Sequence, residues 1–192
     1  MPILPAEPER FPDGLLDQSA PADAAARRWW AIHTRPRQEK CLARDLCDRR
    51  IPFYLPLLTR RLRIRGQAMT SRVPLFPGYV FLLGLPDERT AALATRRVVR
   101  SLDVADQDGL WHDLRQVSRL IASGKPVAPE DRLVPGALVE VRSGSLAGLR
   151  GVIVKAASGH RFIVRVDFIQ RGASVLLDDV NLMRVEEAAG PD

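Results

Sequence analysis

"VPLFPGYVFLLG", residues 73–84, carries no charge, and aromatic and aliphatic side chains follow one another along it. A strand that is apolar on both faces belongs at the centre of a sheet, with helices or a partner covering it. Pro77-Gly78 places a bend near its start, so the strand itself runs from Tyr79 to Leu83. Residues 60–72, just before it, hold five arginines. There "RLRIR" alternates basic with apolar residues and Gly66 permits a turn, so 59–73 reads as a basic hairpin arm.

Working outward, "WWAIHT" (29–34) is an aromatic and β-branched run that suits a buried strand. Pro36 then opens a helix in "RQEKCLARDLCDRR", with Leu42, Ala43, Leu46 and Cys47 on one face and Cys41 roughly opposite. "FYLPLL" (53–58) reads as a strand that Pro56 confines to an edge or a bulge. "LPDERTAALATR" (85–96) has proline and acids at its front, as a helix start should. "VVRSLDV" (98–104) is a further strand, and "DLRQVSRLIASG" (113–124) a helix closed by Gly124. This order predicts an α+β domain over 27–124, an antiparallel sheet flanked by helices. "KPVAPEDR" (125–132) reads as a flexible linker. Beyond it, over 133–186, short β-rich runs separated by glycines predict a small all-β barrel of about five strands. Residues 187–192 are left as a tail.

The first 26 residues lack a basic start and a continuous apolar core, so they are no secretory signal; their Pro, Ala and acidic bias reads as a disordered leader. No run of 18 apolar residues predicts a membrane span. Two cysteines, Cys41 and Cys47, give no disulfide framework and point to the cytoplasm. The net charge of +6 is uneven. Residues 27–72 hold thirteen Lys or Arg against three acids, a block that suggests a polyanion partner unless it is simply a solvated face.

The residues offer no credible active site. His33, His112 and His160 are scattered, and none stands at metal-ligand spacing with a cysteine. Asp178-Asp179 shape a turn. "GSLAGLRG" lacks the Lys-Ser/Thr of a phosphate loop. The expectation is a protein without catalysis, metal or cofactor.

Two motifs carry a resemblance. "PGALVEVRSGSLAGLRGVIVK" (135–155), with Gly144, Gly148 and Gly151, looks like a KOW motif. "WWAIHTRPRQEK…IPFYLPL…PLFPGYVFL" resembles the N-terminal domain of NusG-type transcription elongation factors, "LFPGYVF" being its most specific piece. "HTRPRQE" is similar to the specialised, RfaH-like antiterminator paralogues that serve particular long operons.

The resemblance implies a site for each part. An apolar face of the N-terminal domain would dock on the clamp coiled coil of RNA polymerase, with Phe76, Pro77 and Tyr79 in that surface. On the residues alone Phe76 and Tyr79 could also fill the core; the interface is the favoured reading, with Val80 and Leu82 assigned to the core. Arg35, Arg37, Gln38, Arg96 and Arg97 occupy the neighbourhoods that meet the non-template single-stranded DNA, although Cys41 stands where the best-known paralogue has a basic contact. Arg89 and Thr90 map to the polymerase gate-loop contact, without that paralogue's threonine-rich motif. In "DFIQRGAS", Phe168, Ile169 and Arg171 match the region that contacts the Rho terminator or a ribosomal small-subunit protein, Ile169 replacing an aromatic.

The resulting expectation is a cytoplasmic, monomeric antitermination or elongation factor on RNA polymerase. The alternatives are a housekeeping NusG coupled to Rho and a ribosome-associated KOW protein that binds RNA. One RfaH-type paralogue hides its KOW domain as a helical hairpin. Here β-branched, alternating runs and interrupting glycines over 150–185 predict a constitutive barrel, loosely joined, with the Phe76–Tyr79 surface open.

Overall fold

The computed structural model describes residues 7–17, 27–64, 67–132, 135–156, 159–177 and 182–184. Gly66, Asp178, Asp179 and the 187–192 tail lie outside the described residues. The chain divides into two units, Met1–Trp111 and His112–Asp192.

In the first unit the strands are β1 (Arg10–Phe11), β2 (Arg28–Thr34), β3 (Phe53–Tyr54), β4 (Leu57–Ile64), β5 (Gln67–Pro74), β6 (Tyr79–Gly84) and β7 (Val98–Asp103). Five of them form an antiparallel sheet in the order β1-β3-β6-β2-β7. The strand read from "YVFLLG" therefore sits at the centre, between β3 and β2. Alternation then divides its side chains. Val80 and Leu82 join Trp30, Ile32 and Phe53 in one core. Into that core α1 (Glu39–Asp48) brings Leu42, Ala43 and Leu46, and α2 (Pro86–Leu93) brings Ala92. Phe81 and Leu83 point the other way with Tyr54, Ala31 and Trp29, and all five are buried as well. A strand buried on both faces explains the unbroken apolar run.

Cys47 packs against the core as expected, and both cysteines are free thiols. Pro56 separates β3 from β4. Strands β4 and β5 pair only with each other, in full register from Leu57↔Pro74 to Ile64↔Gln67.

The N-terminal stretch departs from the disordered leader expected over 1–26. Residues 7–17 are part of the fold: Arg10 and Phe11 pair with Tyr54 and Phe53, and Leu15 and Leu16 are buried. Leu55 N–H donates to the Glu9 carbonyl at 2.7 Å, and Arg44 and Arg72 bind Glu7 and Glu9. Bulk composition hid this because only a few residues of the stretch carry the contacts.

The helix expected at 113–124 is longer, α3 (Gln107–Ala122), and the division between the units falls inside it. In the first unit, Gln107 caps the edge of the sheet through Trp29 N–H and C=O, at 2.6 and 3.1 Å. In the second, Leu114, Val117 and Leu120 are buried, Gln116 accepts from Arg150 N–H at 2.7 Å, and Arg119 donates to the Ala147 carbonyl at 2.7 Å.

The second unit is a six-stranded antiparallel sheet in the order β13-β9-β10-β11-β12-β8. Its members are β8 (Ala128–Glu130), β9 (Ala137–Val141), β10 (Arg150–Ala156), β11 (Gly159–Val166), β12 (Arg171–Leu177) and β13 (Leu182–Arg184). Strands, with one short 3-10 turn at Asp167–Ile169 and no α-helix, make up the described secondary structure of 150–185, as the β-branched pattern requires. The sixth strand is the difference. Ala128–Glu130, inside the stretch read as a loose tether, pairs with β12, and Glu130 accepts from Ser174 Oγ at 2.6 Å. Its Pro129 suits an edge strand, which needs few donors. Gly151 lies where β10 crosses β11; a Cβ there would stand 2.4 Å from the Ile163 carbonyl oxygen.

Candidate functional site

The "FPGY" stretch forms a turn closed by Tyr79 N–H donating to the Phe76 carbonyl at 3.1 Å. Pro77 in the second place and Gly78 in the third, at φ +86°, are what a type II turn demands. Thr34 N–H donates to the Gly78 carbonyl at 2.8 Å, and Gly78 N–H donates to Glu39 Oε1 at 2.7 Å. Glu39 is buried in the first turn of α1, where a carboxylate suits the helix dipole. The sequence reading passed over Glu39; its one signal was an acid in the first turn of α1.

The turn sorts its aromatics in a way the sequence did not. Pro77 is exposed and Tyr79 half-buried, its ring 5.4 Å from that of His33. Phe76 is only 1% exposed and packs edge-on against Phe81 at 6.4 Å. The expectation of an open Phe76 is thus corrected: it precedes the bend and points inward, so it belongs to the core. Val80 and Leu82 are core, as expected.

Beside this turn lie two arginine-rich bends. Arg35 N–H donates to the Arg97 carbonyl at 2.8 Å, which joins the end of β2 to the segment between α2 and β7. Arg35, Arg37 and Arg96, 61 positions apart at the extremes, are all exposed at these joined bends. Arg37 and Arg96 hold left-handed φ of 62° and 61°. Non-glycine residues there cost about 1–3 kcal/mol, and such strain gathers at functional sites.

Arg97 and Gln38 behave differently. The Arg97 guanidinium donates to Asp45 Oδ2 at 2.6 Å and to Gln38 Oε1 at 2.8 Å. The hydrogen bond to the Asp45 carboxylate holds Arg97 above its ordinary pKa. These two side chains clamp the bends to α1, which leaves Arg35, Arg37 and Arg96 as the outward cations.

The remaining candidates are scattered. Arg89 lies over the Trp30 ring at 4.5 Å and donates to Ser101 Oγ at 2.9 Å, so its guanidinium is engaged inside the fold. Thr90 is exposed and donates back to the Pro86 carbonyl at 3.0 Å. In the second unit, Phe168 and Ile169 are half-buried in the 3-10 turn Asp167–Ile169, and half-buried Arg171 opens β12. Asp113 of α3 accepts from Asp167 N–H at 3.1 Å, fixing that turn. Gly144 and Gly148 occupy the loop between β9 and β10, where Gly148 N–H donates to the Val141 carbonyl at 2.7 Å. Among the described residues no three His, Cys, Asp or Glu gather to hold a metal.

The family model described as transcription termination factor nusG matches residues 27–134, more than half of the chain. The chain belongs to the NusG family. NusG proteins are transcription factors, and membership supports a role in transcription elongation. Among solved structures, one titled for domain interaction in Thermotoga maritima NusG is 16% identical, covering 84% of this chain and 99% of that one, with a TM-score of 0.44. A structure titled as the MjSpt4:Spt5 complex is 12% identical, covering 82% and 99%, with a TM-score of 0.24. No curated protein matches the chain. Within the NusG-matched span lie the FPGY turn and both arginine bends; the loop at 167–171 lies beyond it. No helix among the described residues is long and apolar enough to cross a membrane.

Proposed function

We propose that this NusG-family chain is a non-catalytic factor that rides on transcribing RNA polymerase and suppresses pausing or termination, at particular operons. The observation that carries the reading is the adjacency of two surfaces. The FPGY turn and the Arg35–Arg37–Arg96 bends meet through Glu39 and Thr34, so one face offers an aromatic anchor beside exposed guanidinium groups. Tyr79 and Pro77 dock on the polymerase clamp, as partly exposed aromatics do at interface hot spots. Arg35, Arg37 and Arg96 meet the unpaired non-template strand, since guanidinium pairs with phosphates and stacks on bases. Gln38 and Arg97 position them. The second unit serves as a KOW domain, its Phe168–Arg171 loop reaching Rho or a ribosomal small-subunit protein.

A second reading, a housekeeping factor that assists Rho, is favoured by the termination role in the family description itself. Single-round transcription with purified polymerase, with and without Rho, separates the two. Shortened pauses and read-through support the first; earlier release of transcripts only when Rho is present supports the second. Recovery of ribosomal subunits but no polymerase from cells would overturn both.

A further inference from the structure

The segment from Leu57 to Pro74 is a two-stranded ribbon that pairs with neither larger sheet. It contains five arginines, at 60, 61, 63, 65 and 72, and no acid and no aromatic residue. Register sets Arg61 opposite Thr70, Arg63 opposite Ala68 and Thr59 opposite Arg72. Residues directly opposed across an antiparallel pair share a face, so Arg61 and Arg63 stand in one row with Thr59, Thr70 and Arg72.

Charge along this row is not uniform. At the root, Arg72 is ion-paired with Glu9 and donates to the Glu7 carbonyl at 3.2 Å. Further out, Arg61 and Arg63 are exposed in this row, Arg60 is exposed on the opposite face, and among the described residues no acid pairs with any of the three. A merely solvated face mixes both signs to limit self-repulsion, whereas an uncompensated row calls for a polyanion.

We infer that the β4–β5 ribbon is a second nucleic-acid surface, distinct from the arginines at 35, 37 and 96, and that it takes double-stranded DNA. Single-strand sites combine cations with aromatic platforms on which successive bases stack, and the ribbon supplies cations without any aromatic. A two-stranded ribbon fits the B-form major groove, about 12 Å wide, while the deep, narrow A-form groove excludes side chains. Contacts from arginine and threonine to phosphates would hold it there without reading sequence.

The test is fluorescence anisotropy of the full-length protein on a DNA duplex, the same sequence as a single strand, and an RNA duplex, across a salt series. The wild-type chain should bind the DNA duplex better than the RNA duplex. Replacing Arg61 and Arg63 together by Ala should lower the log–log salt slope on the DNA duplex by about 1.8, at ~0.9 per phosphate contact. The same two changed to Lys should keep the slope. Arg35→Glu, Arg37→Glu and Arg96→Glu should reduce single-strand binding and spare the duplex slope. Absent duplex binding by the wild type, an unchanged slope in the alanine variant, or equal losses on single strand and duplex would overturn the inference. Tighter binding to the RNA duplex would overturn it too. If the alanine variant fails to fold, Arg61→Gln with Arg63→Gln takes its place: a slope lowered by about 1.8 supports the inference and an unchanged slope overturns it.

Discussion

Glu39, buried at the start of α1, accepts a hydrogen bond from the backbone N–H of Gly78 at 2.7 Å. One carboxylate thereby ties the helix that follows the arginine bend to the turn that presents Tyr79. Gly78 supplies the other half of the joint, because its φ of +86° is one that L side chains rarely adopt.

Both halves should be felt in stability. Gly78→Ala should cost about 1–3 kcal/mol in urea unfolding, from backbone strain. Glu39→Ala should cost about 1–3 kcal/mol by leaving a donor without its charged partner. Two variants of wild-type stability would show that the turn is held by something else.

Phe76 and Tyr79 should separate cleanly although they are three residues apart. Phe76→Ala empties a core position and should destabilise by about 3–5 kcal/mol. Tyr79→Ala should leave the melting transition nearly unchanged and weaken polymerase binding by about 1–3 kcal/mol. A stable Phe76→Ala protein that fails to bind polymerase would reverse the assignment.

Arg97 and its neighbours should also divide by role. Arg97→Ala loses the Asp45 ion pair, which is about one-third exposed and so worth at most ~1 kcal/mol, and loosens the bend behind Arg35. Arg35→Glu, Arg37→Glu and Arg96→Glu together should weaken recruitment far more at low salt than at high salt, because phosphate contacts release counterions. Recruitment unchanged across the salt series would reduce these three to a solvated face.

His112 gives a pH signature in the second unit. Partial burial first, then Arg150, Arg115 and Arg119, lower its pKa below the ordinary value of 6.5. As pH falls, the unfolded chain takes up this proton before the folded one. The contribution is therefore complete above about 6.5 and is lost as pH drops from there towards the lowered value. NMR titration should find His112 below the ordinary value in the wild-type chain and higher in Arg150→Ala. Identical titration in both would remove the arginine from the account.

The elements were legible wherever periodicity was strong: the central strand, α1, the β4–β5 hairpin and the strands of the second unit all follow from apolar pattern and turn residues. What pattern could not show was how far a segment's contacts reach. Residues 10–11 and 128–130 pair as short edge strands, and two or three residues carry no period. Phe76 looked the same as Tyr79 in sequence, because only the bend at Pro77-Gly78 decides which ring turns inward. Glu39 was invisible as a joint since its partner is a backbone N–H, which has no sequence signal. The meeting of Arg35 with Arg97 came from the resemblance rather than from spacing; the structure supplies its cause, a backbone hydrogen bond across β2 and β7.

Binding of the full-length protein to a purified elongation complex, assembled on scaffolds with and without an unpaired non-template strand, tests the central claim most directly. The wild-type chain should bind the scaffold with the open strand more tightly, Tyr79→Ala should weaken both, and the Arg35–Arg37–Arg96 glutamate variant should erase the difference between them. Equal binding of all three proteins to both scaffolds, or no binding to polymerase, would contradict it.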